Sequence, residues 1–251
     1  MEPEPEGIAY RELPPPRDLG EHLLCRWVLR PGARRRRRDV VLPDGCMDLI
    51  WRPGRGAVVA GPDTGPARVT RRPGATVVGV RFHPGAAPAI LGLPAEELRD
   101  LRVPLAELWG DGGSRLDDGL DEATSPEERL ELMEGELRRR AAAAGHPDRL
   151  VAGAVALLRR ANPPPVTRLA EELGISERQL RRRFRFAVGY GPKTLARVLR
   201  FQRMLALARA GVSRGDLARL ALAAGYADQA HMTVECTRLA GASPGRLLAA
   251  R

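Results

Sequence analysis

Near its C-terminus the chain states one pattern twice. Ser176 aligns with Asp228, and at the same offset of 52 residues Leu180 falls on Met232, Phe184 on Cys236, Val188 on Ala240, Gly189 on Gly241 and Pro192 on Pro244. Ahead of the turn the offset is one shorter, with Ala170 on Ala221 and Gly174 on Gly225, so the second copy has a turn one residue longer. A short internal repeat marks a duplicated structural unit, each copy of which buries its apolar side against a neighbour. The C-terminal part is thereby narrowed to two related helical units in tandem.

In the first copy, Val166 to Leu173 reads as a short helix with Leu169, Ala170 and Leu173 on one face, closed by Gly174 as a left-handed cap. Ser176 reopens the helix as N-cap. The second helix buries Leu180 and Phe184 at i, i+4 and turns Arg178, Arg181, Arg182 and Arg185 elsewhere. Helix, tight glycine turn and a second helix with a basic free face is the arrangement that sets a helix into a DNA major groove. The plainer reading of the same arginines is a solvated surface helix, and the duplication weighs against it.

The second copy keeps the plan and changes the chemistry. Leu217 to Ala224 forms the supporting helix, Gly225 caps it, and Asp228 N-caps a helix from Gln229 to Ala240 with Met232 and Cys236 toward the core. Its outer face is expected to carry Gln229, His231, Thr233 and Glu235. Where the first copy has Arg178, Arg181 and Arg182, the second has Ala230, Thr233 and Val234. This helix therefore brings less phosphate attraction and less guanine readout than the first. Gln229 suits an adenine edge; His231, a lone histidine, either contacts a base or rests in solvent or on backbone.

Between the copies, Pro192 at N1 starts an unbroken helical stretch through Leu195, Val198, Leu199, Met204, Leu205 and Ala208 to a stop at Gly211. From Pro192 to Ala210 such a helix is about 28 Å long. Successive major grooves on one face of B-DNA are about 34 Å apart, so a rigid connector of this length can hold two reading helices in adjacent grooves. Charge is divided accordingly. Leu150 to Arg251 holds eighteen Lys or Arg against six Asp or Glu, so the excess in the chain's net +10 lies in the repeat region, and the rest is slightly acidic. A basic module joined to a near-neutral one is the balance expected of a DNA-binding unit with a sensing or assembly partner.

The segments LAEELGISERQLRRRF, GPKTLARVLRFQRML and LAAGYADQAHMTVECTRLAGASPGRLL, within Val166 to Arg251, resemble the DNA-binding domain of AraC/XylS-type bacterial transcription regulators. The resemblance implies base reading by Arg178, Arg181 and Arg182 in the first unit and by Gln229, Ala230, His231 and Val234 in the second. With Ser176, Gln179, Arg185, Asp228 and Thr233 these make up the candidate DNA-binding set. Two departures stand out: many members carry Arg where this chain has Val234 and Phe where it has Cys236. The first weakens readout by the second helix; the second removes a large core side chain, a loss of a few kcal/mol (~3) unless neighbours repack.

Residues 1–110 read differently. They are rich in Pro and Gly, with short apolar runs at Val40 to Leu42, Met47 to Trp51, Ala57 to Ala60 and Thr76 to Phe82 separated by turn signals such as Pro43-Asp44-Gly45 and Gly61-Pro62-Asp63. Short strands at this spacing suggest a small barrel or sandwich, with short helices at Ala86 to Leu91 and Ala95 to Leu101. YRELPPP, VLPDGCMDLIW, VVAGPDTGPARV and VGVRFHPGAAPAILGLPAEEL resemble an uncharacterised cupin-like domain found ahead of this type of DNA-binding domain. Asp111 to Thr124 reads as a polar, Gly-rich linker. Ser125 and Pro126 then open an amphipathic helix to Ala144, with Leu130, Met133 and Leu137 on one side, which either packs on its own barrel or pairs with a second chain.

Chemistry-bearing candidates are few. Cys25, Cys46, His22 and His83 lack zinc-ligand spacing, so no metal is expected, and no Ser/His/Asp, phosphate-loop or dinucleotide signature supports catalysis or a cofactor. Cys25 and Cys46 read as core, with a reactive or methyl-accepting thiol as the alternative. His22, Trp27 and Trp51 either line the barrel interior or are plain core. The five-arginine run Arg34 to Arg38 is either a solvated loop tip or an accessory phosphate contact. The acidic, proline-rich MEPEPEG start is unlike a signal peptide, and no apolar run reaches membrane-spanning length.

The sequence thus predicts an α+β chain: a β-rich cupin-like N-terminal barrel (1–110), a linker and amphipathic helix (111–147), and an all-α domain (148–251) with two helix-turn-helix motifs joined by a linker helix. The function implied is sequence-specific DNA binding in transcription regulation, in the cytoplasm at the nucleoid. Double-stranded DNA is the expected partner, with RNA polymerase, a small-molecule effector and a second copy of the chain as further ones. The alternative is a small-molecule-binding or thiol-reactive protein that its helix-turn-helix domain localises to DNA.

Overall fold

The computed structural model describes residues 9–32, 37–160, 162–212 and 215–249. Among the described residues the N-terminal half is built on eight strands: β1 (Ala9–Leu13), β2 (Leu23–Arg30), β3 (Arg37–Val41), β4 (Asp48–Arg52), β5 (Gly56–Ala60), β6 (Ala67–Arg71), β7 (Val77–Phe82) and β8 (Arg102–Pro104). Six form one sheet in the order β1-β2-β7-β4-β5-β8, all pairs antiparallel, and β3 and β6 form a separate two-stranded ribbon. The sequence runs at Val40, Met47, Ala57 and Thr76 fall on β3, β4, β5 and β7. Of the arginine run, Arg34 to Arg36 lie outside the described residues, and Arg37 and Arg38 open β3.

Alternation along the strands sorts side chains onto two faces. Leu49 and Trp51 of β4 enter the main core with Leu23, Val28, Val59, Val78 and Val80. Ile50, between them, joins Cys25, Trp27, Leu29 and Ala60 on the opposite face. Trp27 and Trp51 therefore do not line one interior; both are core, on different sides of the sheet, while His22 is buried at 5% exposure. Gly79 explains how Trp27 fits, since a Cβ there would lie 2.4 Å from the indole.

Helices α1 (Ala87–Leu91), α2 (Leu105–Trp109), α3 (Asp111–Glu122) and α4 (Pro126–Ala144) cover the main-core face. The polar segment expected to be a linker is α3, and three features make it a helix. Leu116 and Leu120, at i, i+4, are buried in the sheet core. Gly113 comes so close to Leu105 that a Cβ would meet its carbonyl oxygen at 2.5 Å. Its aspartates, which read as solvent-seeking, accept tertiary bonds: Asp121 from Trp51 Nε1 at 3.0 Å and Asp117 from the Ala57 amide. The amphipathic helix α4, N-capped by Ser125, takes the intramolecular option: Leu130, Met133 and Leu137 join the same core, and Glu134 accepts a bond from Arg26 Nη1 at 2.9 Å.

The C-terminal half is helical: α5 (Arg149–Leu158), α6 (Val166–Glu172), α7 (Glu177–Val188), α8 (Pro192–Arg209), α9 (Leu217–Ala224), α10 (Gln229–Ala240) and α11 (Pro244–Ala249). It holds two cores, one around Leu180, Phe184 and Leu195, the other around Phe201, Met232 and Cys236; α8 contributes to both. Sheet-domain loops dock on this half. Leu42 packs on the second core, Pro43 accepts a bond from Gln202 Nε2 at 2.6 Å, and Gly45 lies against Leu195 and Tyr190. Gly189, at φ +89°, could carry no Cβ without meeting Pro62 at 2.5 Å and the Ala95 carbonyl at 2.9 Å. No helix among the described residues is long and apolar enough to cross a membrane.

Candidate nucleic-acid interface

The two units close as their sequences require. In α7, Ser176 Oγ accepts the Gln179 amide at 3.2 Å while Gln179 Oε1 accepts the Ser176 amide at 3.0 Å, a reciprocal capping box. In α10, Asp228 accepts the His231 amide at 2.7 Å. Both helices end on left-handed glycines, Gly189 and Gly241. Each is thereby held by its ends and its buried stripe, leaving the opposite face free.

On α7 that face is cationic. Arg178, Gln179, Arg181, Arg182 and Arg185 are all exposed and border one cleft of about 720 Å³, together with Glu96 from the sheet domain. Arg181 forms an i, i+4 ion pair with Glu177 at 2.5 Å, which costs little to exchange for a phosphate in solvent. Arg183, the remaining arginine of the run, is different: its guanidinium donates to Asp148 Oδ2 at 2.6 Å, tying α7 to the start of α5. Glu96 had no functional signal in the sequence, because only the fold brings the 3-10 turn Ala95–Leu98 beside α7.

On α10 the expected outer face needs correction. Glu235 is buried at 7% exposure, at ion-pair distance from Arg200 (3.4 Å) and Arg197 (3.8 Å) of α8. Two arginines on the neighbouring helix make it more favourable inside than the sequence of α10 alone suggests. His231 turns the same way, its Nε2 3.4 Å from Glu235 and its ring edge-on to Tyr226 at 5.3 Å. Gln229, Ala230 and Val234 are exposed, Val234 at 69%, and Thr233 is half-buried. The free face continues to Thr237 and Arg238, also exposed; the helical period from Ala230 and Val234 carries the signal for them.

The cysteines are withdrawn from solvent. Cys25 and Cys46 are 6% and 7% exposed. Burial pushes the Cys25 thiol up to about 11 and that of Cys46 well above its ordinary value, so little of either is thiolate near neutral pH.

Residues 169–250 match the family model described as a helix-turn-helix domain. The C-terminal part is a helix-turn-helix domain of the AraC type. This part of the chain supports DNA-binding regulation. Residues 11–104 match a family described as a domain of unknown function, DUF6597. Comparison with curated proteins gives no match. Among solved structures the chain is similar to ToxT from Vibrio cholerae, at 10% identity over 96% of this chain and 98% of that one with a TM-score of 0.48. ToxT bound to (E)-4-(8-methylnaphthalen-1-yl)but-3-enoic acid is similar at 11% identity, 96% and 98% coverage and a TM-score of 0.46. The unsaturated fatty acid-bound form is similar at 10%, 99% and 97%, and 0.43.

Proposed function

We propose that this regulator reads a bipartite DNA site with α7 and α10 in successive major grooves, and that its sheet domain tunes that reading. The observation that carries the proposal is the pair of capped helices whose free faces are exposed while both are fixed to one connecting helix, α8. Its eighteen residues span roughly 27 Å, commensurate with the groove repeat of about 34 Å once each reading helix is offset from an end of α8. Arg178, Arg181, Arg182 and Arg185, with Gln179, meet one half-site; Gln229, Ala230, Thr233 and Val234 meet the other. Ser176, Asp228 and His231 serve at one remove, the first two by holding the helix N-termini and His231 by bracing Glu235. The regulator acts where its DNA is, in the cytoplasm at the nucleoid, and neither a catalytic step nor a cofactor is part of this reading.

Tuning has two physical routes. Glu96 brings a carboxylate into the cleft that the α7 arginines border, so a shift of its 3-10 turn changes the field those arginines present. A second cleft, of about 420 Å³, lies between Pro84 to Ala86 and α5, with Ala152, Val155 and Ala156 in its wall and Arg149 and Arg159 beside them. A small-molecule effector seated there would touch both domains. A second copy of the chain and RNA polymerase are further partners that such a regulator engages.

Selection of bound duplexes from a randomised library by the full chain, at two salt concentrations, tests the proposal. The expected result is one motif with two half-sites about 10–10.5 base pairs apart, centre to centre. Salt-sensitive binding without a motif would overturn it and leave only electrostatic attraction. The thiol-reactive reading is tested by alkylation of the native protein, where Cys25 and Cys46 are expected to label slowly; rapid labelling of either would revive it.

A further inference from the structure

The free face of α10 is methyl-rich where that of α7 is cationic. At the repeat offset, Arg178, Arg181, Arg182 and Arg185 correspond to Ala230, Thr233, Val234 and Thr237. Val234 is the most exposed large hydrophobic side chain among the described residues, at 69%. Both threonine hydroxyls are occupied: Thr233 Oγ1 donates to the Gln229 carbonyl at 2.8 Å and Thr237 Oγ1 to the Thr233 carbonyl at 2.8 Å. Each hydroxyl has one proton to give, so neither retains a donor for a base. The one carboxylate of α10, Glu235, is held inside by Arg197 and Arg200, which keeps a repelling charge away from phosphates. What this face presents outward is methyl groups, with Gln229 at one end and Arg238 at the other.

A major groove offers one apolar group, the C5-methyl of thymine, and short aliphatic side chains and threonine methyls are its natural contacts. We infer that α10 is a thymine reader: Ala230 and Val234 pack on thymine methyls, with Gln229 placed for an adenine edge, so that the half-site under α10 is A·T-rich. Under α7, arginines select guanine N7 and O6. The operator is then chemically polar, and one chain binds it in a single orientation. This inference rests on the two-groove reading proposed above.

Replacing thymine by deoxyuridine deletes the C5-methyl and leaves base pairing intact. The probe is the duplex selected by the full chain. The half-site whose consensus relaxes with Arg182→Ala belongs to α7, and the other belongs to α10. Uracil in the α10 half-site should weaken binding about fourfold for each contacted methyl removed, while uracil in the α7 half-site should change it little. Val234→Ala should shrink the uracil effect, and Arg182→Ala should leave it intact. Both positions are exposed, so folding is not at stake. If uracil is tolerated in the α10 half-site, or that half-site lacks thymine, the inference is overturned while two-groove binding stands. If scrambling that whole half-site has no effect, the two-groove reading itself fails.

Discussion

The two helix-turn-helix units share a scaffold and differ in what they expose. Leu180 and Met232 hold equivalent positions and are both fully buried, as are Phe184 and Cys236. Ser176 and Asp228 both cap their helices through the side chain, and Gly189 and Gly241 both turn left-handed at φ +89° and +68°. Outside this frame, four arginines face two threonines, an alanine and a valine. Buried and capping positions fix where a reading helix sits, and they constrain the exposed positions very little. The units therefore differ in what they expose while each packs its core against α8.

The largest expected contrast lies in the cores. Phe184 fills the first core, and Phe184→Ala should cost about 3–5 kcal/mol of folding stability. Cys236, at the equivalent place, shares its core with Phe201, Tyr226 and Met232, so the smaller side chain sits among large neighbours. Cys236→Ala should cost only about 1 kcal/mol, and Cys236→Phe should overpack the site and cost roughly 1–3 kcal/mol. Urea unfolding of the three variants measures this. A stabilising Cys236→Phe would mean that the second core carries unfilled space and is simply a poorer copy of the first.

The next contrast is in DNA binding. Arg182→Ala should weaken specific binding by roughly 1–3 kcal/mol. An equal loss on random-sequence DNA would make Arg182 a phosphate contact. Salt separates the units further: Arg185→Ala should lower the slope of log K against log salt by about 1 if Arg185 neutralises a phosphate, whereas Thr237→Ala should leave the slope unchanged. Identical slopes for both variants would mean that neither position meets the backbone.

The repeat makes α6 through α10 legible to within a residue or two. The reason is local: apolar spacing and glycine stops run through α6 to α10, and side-chain caps open α7, α9 and α10. What escaped depends on contacts between distant segments. Glu235 looks like a surface residue until Arg197 and Arg200 of α8 face it. Segment 111–122 looks like a linker until Trp51 and the Ala57 amide need acceptors and the sheet core needs Leu116 and Leu120. Strands β1, β2, β6 and β8 carry no strand signal of their own, because their apolar content is low or broken by arginine, and pairing supplies what local pattern does not. The free face of α7 is marked in the sequence by its arginines, whereas on α10 Thr237 and Arg238 follow only from the helical period of Ala230 and Val234.

The smallest contrast concerns the caps. Ser176 shares its helix end with Gln179, whose carbonyl accepts the Ser176 amide at 3.0 Å, so Ser176→Ala removes one of two reciprocal bonds and should cost about 1 kcal/mol. Asp228 has no such partner in its box, because position 231 is histidine and faces Glu235, but its charge also meets the positive end of the α10 dipole. Asp228→Ser should retain the hydrogen bond and lose roughly 0.3–1 kcal/mol of dipole stabilisation. The same change removes a carboxylate from the end of a helix proposed to lie in a groove between phosphate rows, so binding to random-sequence DNA should strengthen even as stability falls. Urea unfolding and a DNA titration on one preparation compare the two signs. If affinity is unchanged, the N-terminus of α10 does not face the phosphates; if it falls in step with stability, Asp228 serves binding by holding α10 in place and not through its charge.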